Sequence, residues 1–333
     1  MSHCNIAVFV PHMGCPQQCS FCNQRVISGA AAQPTAADVD AACERAQKGV
    51  SPGDTVQLAF FGGSFTAIER GKMLELLAAA KRYVDSGFLN GGVRVSTRPD
   101  CINDEILTLL SAHGVRAVEL GAQSMDDRVL ALNRRGHTAQ DVADAARLIR
   151  SYGLELGLQM MTGLYGSTDE DSLETASQLI ALHPATARIY PTVVLRGTRL
   201  EELYHSGAYR PPTAEETVPL CSRLLQLFEE SGVRVIRLGL HAQEDIARQM
   251  IAGAYHPALR ELCQGEIYYR KAVEQLKEKP PGAYLLVVSP ASVSQMTGQK
   301  KKNLLRLAQR GYRCRVLGDE SLHTPYELRI KEL

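Results

Sequence analysis

The sequence contains no tryptophan, no large excess of charge of either sign and no apolar run of membrane-spanning length. The missing tryptophan excludes nothing by itself. The formal net charge is +1, so the chain as a whole has no field that would attract nucleic acid, and any basic surface must be local. Crossing a bilayer takes about 20 consecutive apolar residues, so we expect no membrane partner.

A secretory signal peptide is also missing, although the chain has nine cysteines. This combination argues against a secreted disulfide scaffold and favours a reducing compartment, so we expect a cytoplasmic protein. With 333 residues, of which 45% are hydrophobic, the chain is long enough for one large domain, alone or with a smaller one.

Three of the cysteines lie within eight residues, as Cys15, Cys19 and Cys22 in a C-x3-C-x2-C pattern that follows the apolar run 6–10. Thiols this close together can converge on one soft metal centre. A structural zinc site takes four ligands, usually in two pairs, and no second C-x2-C pair exists here. A three-cysteine [4Fe–4S] cluster leaves one iron open to an external molecule. A zinc loop and three unrelated buried thiols remain the alternatives, and Cys4 is a spare thiol nearby in sequence.

The cysteine spacing, with Phe21 just before the last cysteine, resembles the radical S-adenosylmethionine (SAM) superfamily. This resemblance implies a [4Fe–4S] cluster on Cys15, Cys19 and Cys22 as the catalytic centre. It also implies that the open iron binds the amino and carboxylate groups of SAM. Reductive cleavage of SAM in that superfamily yields a 5′-deoxyadenosyl radical.

The chain alternates short apolar runs with longer amphipathic stretches, which predicts an α/β fold with a parallel sheet and right-handed crossovers. The alternation is too short for the eight strands of a closed TIM barrel, so we predict a partial (β/α)6 TIM barrel. The segment 233–238 is a candidate for one further strand. The six predicted strands are 6–11, 55–61, 93–97, 115–120, 154–161 and 187–194.

In such a barrel the chemistry gathers at the carboxyl ends of the strands. Gly62, Gly63 and Ser64 follow the second strand, and paired glycines allow a ligand to approach the backbone. In the radical SAM superfamily this position carries a Gly-Gly-Glu-like element that holds the methionine amino group. Because Ser64 stands where the acidic residue is common, only the backbone contacts carry over directly.

Further polar residues follow the other strands and complete the predicted SAM site. Arg98 and Arg135 can meet a carboxylate through a guanidinium, and we expect Arg135 to take this role. By strand alternation Glu119 and Gln123 share a face, where they can bind ribose hydroxyls. Gln159 is polar in an apolar run and is expected to line the barrel.

A narrower resemblance runs from about residue 4 to residue 240. Its motifs are the segments 61–66, 96–100, 119–124, 135–137 and 189–191, and they resemble the radical SAM half of the Elongator catalytic subunit. Members of that family act on wobble uridine in tRNA and carry an acetyltransferase domain. The chain ends at 333, so the expectation is a short bacterial Elongator-like protein that lacks the acetyltransferase domain.

Three units are predicted: a radical SAM barrel at 1–240, a helical connector at 241–280 and a small α+β module at 281–333. The β-α-loop-α-β order of the module, with Gly298 between the helices, resembles the KH RNA-binding domain. Lys301 stands in place of the last glycine of the KH loop. Three consecutive lysines, Lys300, Lys301 and Lys302, are nevertheless candidates for phosphate contacts.

The favoured function is a radical SAM enzyme that modifies an RNA base, with tRNA as the partner. The alternatives are a radical SAM enzyme acting on a small molecule or peptide and, less favoured, a chaperone that binds a cofactor without turnover. An electron donor such as flavodoxin or ferredoxin is expected. The oligomeric state, the group added to the substrate and the fate of SAM stay open.

Overall fold

The computed structural model describes residues 3–11, 19–23, 32–240 and 248–333. The strands in chain order are β1 His3–Val10, β2 Thr55–Gly62, β3 Val93–Thr97, β4 Val115–Gln123, β5 Glu155–Thr162, β6 Thr186–Pro191, β7 Val193–Leu195, β8 Arg234–Leu238, β9 Met250–Gly253, β10 Gly282–Val288, β11 Tyr312–Gly318 and β12 Arg329–Glu332.

The helices within these ranges cover the outside of the sheet and form much of the carboxyl-terminal part. They are α1 Ala36–Gln47, α2 Arg70–Asp85, α3 Asp104–Ala112, α4 Asp127–Leu132, α5 Ala139–Ser151, α6 Asp169–Ala181, α7 Arg199–His205, α8 Ala214–Glu230, α9 Leu259–Leu276, α10 Val293–Thr297 and α11 Lys302–Gln309. None of the described helices has the length and apolar character needed to cross a membrane.

Seven parallel strands form one curled sheet in the order β1-β2-β3-β4-β5-β6-β8, which confirms the predicted α/β partial TIM barrel. All six predicted strands are present. The stretch left open at 233–238 is β8, which pairs in parallel with β6 and adds a seventh strand at the edge.

The sixth strand is shorter than the sequence predicted. Thr192 binds back to the Thr162 carbonyl through both its amide, at 2.9 Å, and its hydroxyl, at 2.7 Å. The chain then leaves the barrel, and β7 pairs antiparallel with β9 in a separate two-stranded sheet. The segment 241–280 therefore contains a strand as well as helix α9, whereas the sequence predicted only helix.

Among the described helices, four begin with a capping box, in which a threonine caps the helix and an acidic residue three positions later binds back to it. The threonines are Thr35, Thr138, Thr168 and Thr213. Thr35 and Asp38 show this pattern in the sequence itself, so the local sequence sets where this helix begins.

One hydrophobic core extends from the barrel through α9 to the carboxyl-terminal sheet. In that sheet β10 pairs in parallel with β11 and antiparallel with β12. The buried side chain of Asn303 donates to the Gly265 carbonyl of α9 at 2.8 Å and to the Met296 carbonyl at 3.2 Å, which ties α10 and α11 to α9. The predicted β-α-loop-α-β order is present, whereas its likeness to a KH domain stays a prediction.

Candidate active site

Residues 19–23, the described part of the cysteine loop, lie near the carboxyl end of β4, because Arg135 binds both Cys19 Sγ and the Gly121 carbonyl. Cys15 lies outside the described residues, whereas Cys19 is buried and Cys22 is half-buried. The Cys22 amide donates to the Cys19 carbonyl at 3.1 Å, which closes a tight turn between the two thiols. Without the third predicted ligand, the described part of the chain contains no group of three or more His, Cys, Asp or Glu side chains placed to hold a metal.

Two hydrogen bonds fasten this loop to the segment that follows α4. The Ser20 amide donates to the Asn133 carbonyl at 3.1 Å, and the Ser20 hydroxyl donates to Asn133 Oδ1 at 2.6 Å. Asn133 is fully buried, and its Nδ2 donates to the carbonyls of Val129 and Tyr165, both at 2.9 Å. Residues 19–22 are therefore fixed to a buried part of the barrel, next to Asn133.

Arg135 contacts the cysteine loop directly. Its Nη1 donates to Cys19 Sγ at 3.2 Å, and its Nη2 donates to the Gly121 carbonyl at 2.7 Å. The guanidinium carbon lies 5.8 Å from the centre of the Phe21 ring, within the range of a cation–π contact. Arg135 is 7% exposed, so this positive charge is held next to a predicted cluster ligand and away from bulk water.

Arg98 lies in the same cluster of side chains. It binds Asp100 through both oxygens, at 2.9 and 2.7 Å, and this pairing outweighs burial, so that the pKa of Arg98 is raised. The sequence predicted a bidentate carboxylate contact for an arginine in this position, and the structure shows one with a carboxylate of the chain itself. Arg98 Nη1 is buried and has no hydrogen-bond partner within the described residues.

His137, two residues after Arg135, is kept neutral. Burial and the neighbouring Arg135 lower the pKa of His137 from 6.5 to about 4. Its Nε2 lies 3.2 Å from the Ala122 carbonyl, and a neutral ring that donates there presents Nδ1 as an acceptor. Nδ1 is buried without a partner in the described ranges.

Four neighbouring residues around Arg135 and Cys19 therefore each have a buried polar atom without a described partner, because Gln123 Oε1 is also in this state. Arg98 Nη1 and Arg135 Nε are donors, whereas Gln123 Oε1 and His137 Nδ1 are acceptors. Buried polar groups are nearly always satisfied, so such a set indicates a place for a polar ligand. Donors for a carboxylate and acceptors for hydroxyl or amino groups fit SAM, and two thiols beside them fit an iron–sulfur cluster.

The glycine pair at the end of β2 is fixed to the end of β1 through the backbone. The Gly63 amide donates to the Val10 carbonyl at 2.8 Å, at the end of β1. Gly62 has a φ of 112°, and a Cβ there would lie 3.0 Å from the Val10 carbonyl oxygen, so a side chain would be strained. Because the Gly63 amide is already used, any ligand contact falls to carbonyl acceptors, which suit an amino group. Ser64 is buried beside them.

Glu119 and Gln159 belong to a network of charged and polar side chains inside the barrel. Arg188 donates to both oxygens of Glu119, at 2.7 and 3.0 Å, and Arg94 donates to Oε1 at 3.2 Å. Gln159 Nε2 adds a bond to Oε2 at 2.9 Å. A carboxylate that is 1% exposed and this fully engaged is the centre of an interior ion network, whereas its predicted contact with the SAM ribose stays a prediction.

The three lysines predicted to contact RNA lie where α11 begins, Lys300 and Lys301 just before it and Lys302 as its first residue, and all three are exposed. Lys300 and Lys301 both have left-handed backbone, with φ of 51° and 62°, which is uncommon for residues other than glycine. Lys302 lies 3.6 Å from Glu215, and both side chains are largely exposed, so this pair is weak. Their RNA contact stays a prediction.

Some site residues were not singled out from the sequence. Arg94 alternates with Ser96 in β3, the same polar-in-apolar pattern that identified Gln159, so periodicity contained a usable signal. Asn133 and His137 act through contacts with residues far away in sequence. No local pattern predicts such contacts.

Comparison with known proteins places this site in a family. Residues 9–179, just over half of the chain, match the Radical SAM superfamily, and residues 184–269 match the Radical_SAM C-terminal domain. The chain is 29% identical over 239 residues to a tRNA uridine(34) acetyltransferase of Dehalococcoides mccartyi, covering 62% of this chain and 52% of the relative. It is 32% identical over 176 residues to human Elongator complex protein 3, covering 52% of this chain and 31% of the relative.

A solved structure of archaeal Elp3 from Methanocaldococcus infernus, with an amino-terminal deletion, shares the fold with a TM-score of 0.63 at 23% identity. The alignment covers 84% of this chain and 64% of that one. The chain spans between about a third and two thirds of the length of the curated relatives it matches. The match over residues 9–179 decides the family. The chain belongs to the radical SAM superfamily, as an enzyme whose cofactors are a [4Fe–4S] cluster and SAM.

Proposed function

We propose that this enzyme uses a [4Fe–4S] cluster on Cys15, Cys19 and Cys22 to cleave SAM reductively and modify a base of tRNA. The observation that carries this proposal is that Arg135, which binds the Cys19 sulfur, and its neighbours Arg98, Gln123 and His137 each have a buried polar atom without a described partner. With its cofactors bound, such a centre supplies a one-electron cleavage of SAM that yields a 5′-deoxyadenosyl radical. An electron donor of the flavodoxin or ferredoxin class would reduce it.

In this proposal different residues of the chain bind different groups of SAM. Arg98 Nη1 has donors left after its pairing with Asp100 and would receive the carboxylate. The carbonyls of Gly62 and Gly63 would accept from the amino group. Gln123 Oε1 would accept from a hydroxyl.

Phe21, Ser64 and the buried wall of the barrel would limit the access of water, which keeps a reactive species from side reactions. In this proposal residues 1–240 carry the chemistry, 241–280 connect, and 281–333 contact RNA.

The choice of tRNA rests on two independent supports. Relatives with up to 32% identity are named for acetylation of tRNA uridine 34 or as Elongator complex protein 3. The second support is the lysine tip, defined as Lys300, Lys301 and Lys302, whose exposed charges are available to phosphate groups. The net charge of +1 makes a local basic surface the feature on which RNA binding would depend.

The test compares tRNA nucleosides, by mass spectrometry, between the wild-type source strain and a strain in which this gene is deleted. We expect at least one modified uridine to disappear on deletion and to return with a plasmid-borne copy. A Cys22→Ala copy should fail to restore it, because one cluster ligand is lost. An unchanged nucleoside profile would reject tRNA as the substrate and favour a small molecule or peptide.

A further inference from the structure

Arg135 has more contacts than a cofactor carboxylate ligand requires. One of its amino groups donates to Cys19 Sγ at 3.2 Å, and the other donates to the Gly121 carbonyl at 2.7 Å. The Arg135 amide also donates to the Leu130 carbonyl at 3.0 Å, so backbone and side chain are both fixed. A guanidinium held in this way is aimed at sulfur, with only Nε left without a described partner.

The surroundings of this contact make its charge effective. Arg135 is 7% exposed and Cys19 is also 7% exposed, so little water screens the interaction between them. Arg135 has no carboxylate within ion-pair distance among the described residues, in contrast to Arg98, which is bound to Asp100. The positive charge of Arg135 is therefore directed to the Cys19 sulfur.

We propose that Arg135 is a positioning residue that sets the reduction potential of the cluster through Cys19. The inference rests on the proposed cluster ligation by Cys19. Reduction by one electron adds negative charge that is shared among the cluster irons and sulfurs. A positive N–H donor on one of these sulfurs stabilises the reduced form more than the oxidised form and raises the potential. Arg98 then takes over the role of binding the SAM carboxylate that the sequence assigned to Arg135.

The experiment is an anaerobic redox titration, followed by electron paramagnetic resonance, of the reconstituted full-length protein without SAM. The variants are Arg135→Gln, Arg135→Lys and a control, Arg134→Gln. Arg134 is the exposed neighbour, so the control removes the same charge one residue away without touching Cys19. Iron and sulfide analysis first establishes that each protein holds a [4Fe–4S] cluster.

We expect the midpoint potential of Arg135→Gln to fall by at least about 59 mV, which is about tenfold in the one-electron equilibrium constant. Arg135→Lys keeps the charge but has a single ammonium for two acceptors, so its potential should lie between those of the wild type and Arg135→Gln. The Arg134→Gln control should match the wild type, and the resonance spectrum should change in the Arg135 variants only.

The outcomes separate the two proposals. A wild-type protein that holds no [4Fe–4S] cluster would refute the proposed function itself. An intact cluster with the same midpoint in wild type, Arg135→Gln and Arg135→Lys would overturn this inference alone, as would an equal shift in the Arg134→Gln control. Loss of the cluster from both Arg135 variants, with retention in the control, would assign Arg135 a purely structural role and would also overturn it.

Discussion

Gly157 sets how much side chain the barrel interior accepts next to the Glu119 ion network. A Cβ at Gly157 would lie 2.9 Å from Glu119 Cγ and 2.9 Å from Thr186 Oγ1. Glu119 cannot move aside freely, because Arg188 holds both of its oxygens. The ion network and the glycine therefore depend on one another.

We predict that Gly157→Ala lowers the free energy of unfolding by about 1–3 kcal/mol, the usual cost of overpacking a filled interior. Urea unfolding followed by circular dichroism measures it. The matched control is Gly49→Ala, where a Cβ meets nothing within 4 Å and the change should stay within about 0.5 kcal/mol. Equal stability of the two variants would show that the interior is looser than the structure indicates.

His137 gives the site a pH dependence whose sign follows from its pKa. The folded pKa of about 4 lies below the ordinary value of 6.5, so between these values the unfolded chain binds more protons. The neutral ring therefore contributes stability that is complete above about pH 6.5 and is lost as the pH falls towards 4.

The expected loss from this group is up to about 3 kcal/mol between pH 6.5 and pH 4. His137→Gln keeps a donor for the Ala122 carbonyl but does not titrate, so its free energy of unfolding should fall less over the same range. The difference between the two proteins, from urea unfolding at each pH, isolates the histidine from the carboxylates. Parallel curves for wild type and variant would contradict a buried, neutral His137.

For single residues, the sequence predicted which residue types form the site better than it predicted their hydrogen-bond and ion-pair partners. Arg98, Gln123 and Arg135 were predicted to lie together, and the structure brings them together beside Cys19. Strand alternation also placed Glu119 with them, but the carboxylate is taken by Arg94 and Arg188 from two other strands. Which arginine pairs with a buried carboxylate depends on distances between strands in the folded protein. The alternation of residues along one strand carries no information about these distances.

At the scale of elements, the capping boxes explain why the helices after several strands begin where they do. In α6 the Thr168 hydroxyl accepts from the Asp171 amide at 3.1 Å, and Asp171 accepts from the Thr168 amide at 2.9 Å. Both bonds satisfy amides that the helix itself leaves unpaired. The cap is local, so the sequence predicts it directly.

We expect Thr168→Ala to lower the free energy of unfolding by about 1 kcal/mol. Thr168→Ser should lower it much less, because serine retains the accepting hydroxyl. Thermal or urea unfolding of the pair gives the comparison. If serine and alanine destabilise the protein equally, packing of the threonine methyl rather than the cap accounts for the effect.

Element boundaries were predictable where a local signal ends the element and not elsewhere. The strand ends at Thr97 and the helix start at Thr35 follow from proline, polar residues and capping chemistry in the sequence. The division of the sixth predicted strand at Thr192 could not be predicted from the sequence, because apolar residues continue through Val193 and Val194. It results from Thr192 binding back to Thr162 on the neighbouring strand.

At the scale of the whole molecule, alternation of strands and helices was enough to predict a partial barrel, because the handedness of crossovers leaves few alternatives. The seventh strand was left open, since nothing in 233–238 tells an edge strand of the sheet from a strand outside it. The relation of the carboxyl-terminal module to the barrel was not predictable, because it depends on Asn303 and Gly265 meeting across 38 residues.

The lysine tip makes a prediction at this scale. Replacing Lys300, Lys301 and Lys302 with glutamate reverses the local charge, so we expect tRNA affinity to fall about tenfold or more at moderate salt. Filter binding or electrophoretic mobility shift measures it across several salt concentrations. The control replaces Lys48, Lys277 and Lys331, which are exposed elsewhere, with glutamate. Equal losses of tRNA affinity in both variants would mean that net charge alone causes the effect. Unchanged affinity in the Lys300, Lys301 and Lys302 variant would show that the lysine tip does not contact tRNA.

The central claim is that Cys15, Cys19 and Cys22 hold the cluster at which SAM is cleaved. The most direct measurement is 5′-deoxyadenosine formation by anaerobically reconstituted protein with SAM and a reductant, for wild type, Cys22→Ala and Cys4→Ala. The account predicts product from wild type and from Cys4→Ala, the nearby thiol outside the motif, and none from Cys22→Ala. Product formation that survives in Cys22→Ala, or its absence from wild-type protein with an intact [4Fe–4S] cluster, would contradict it.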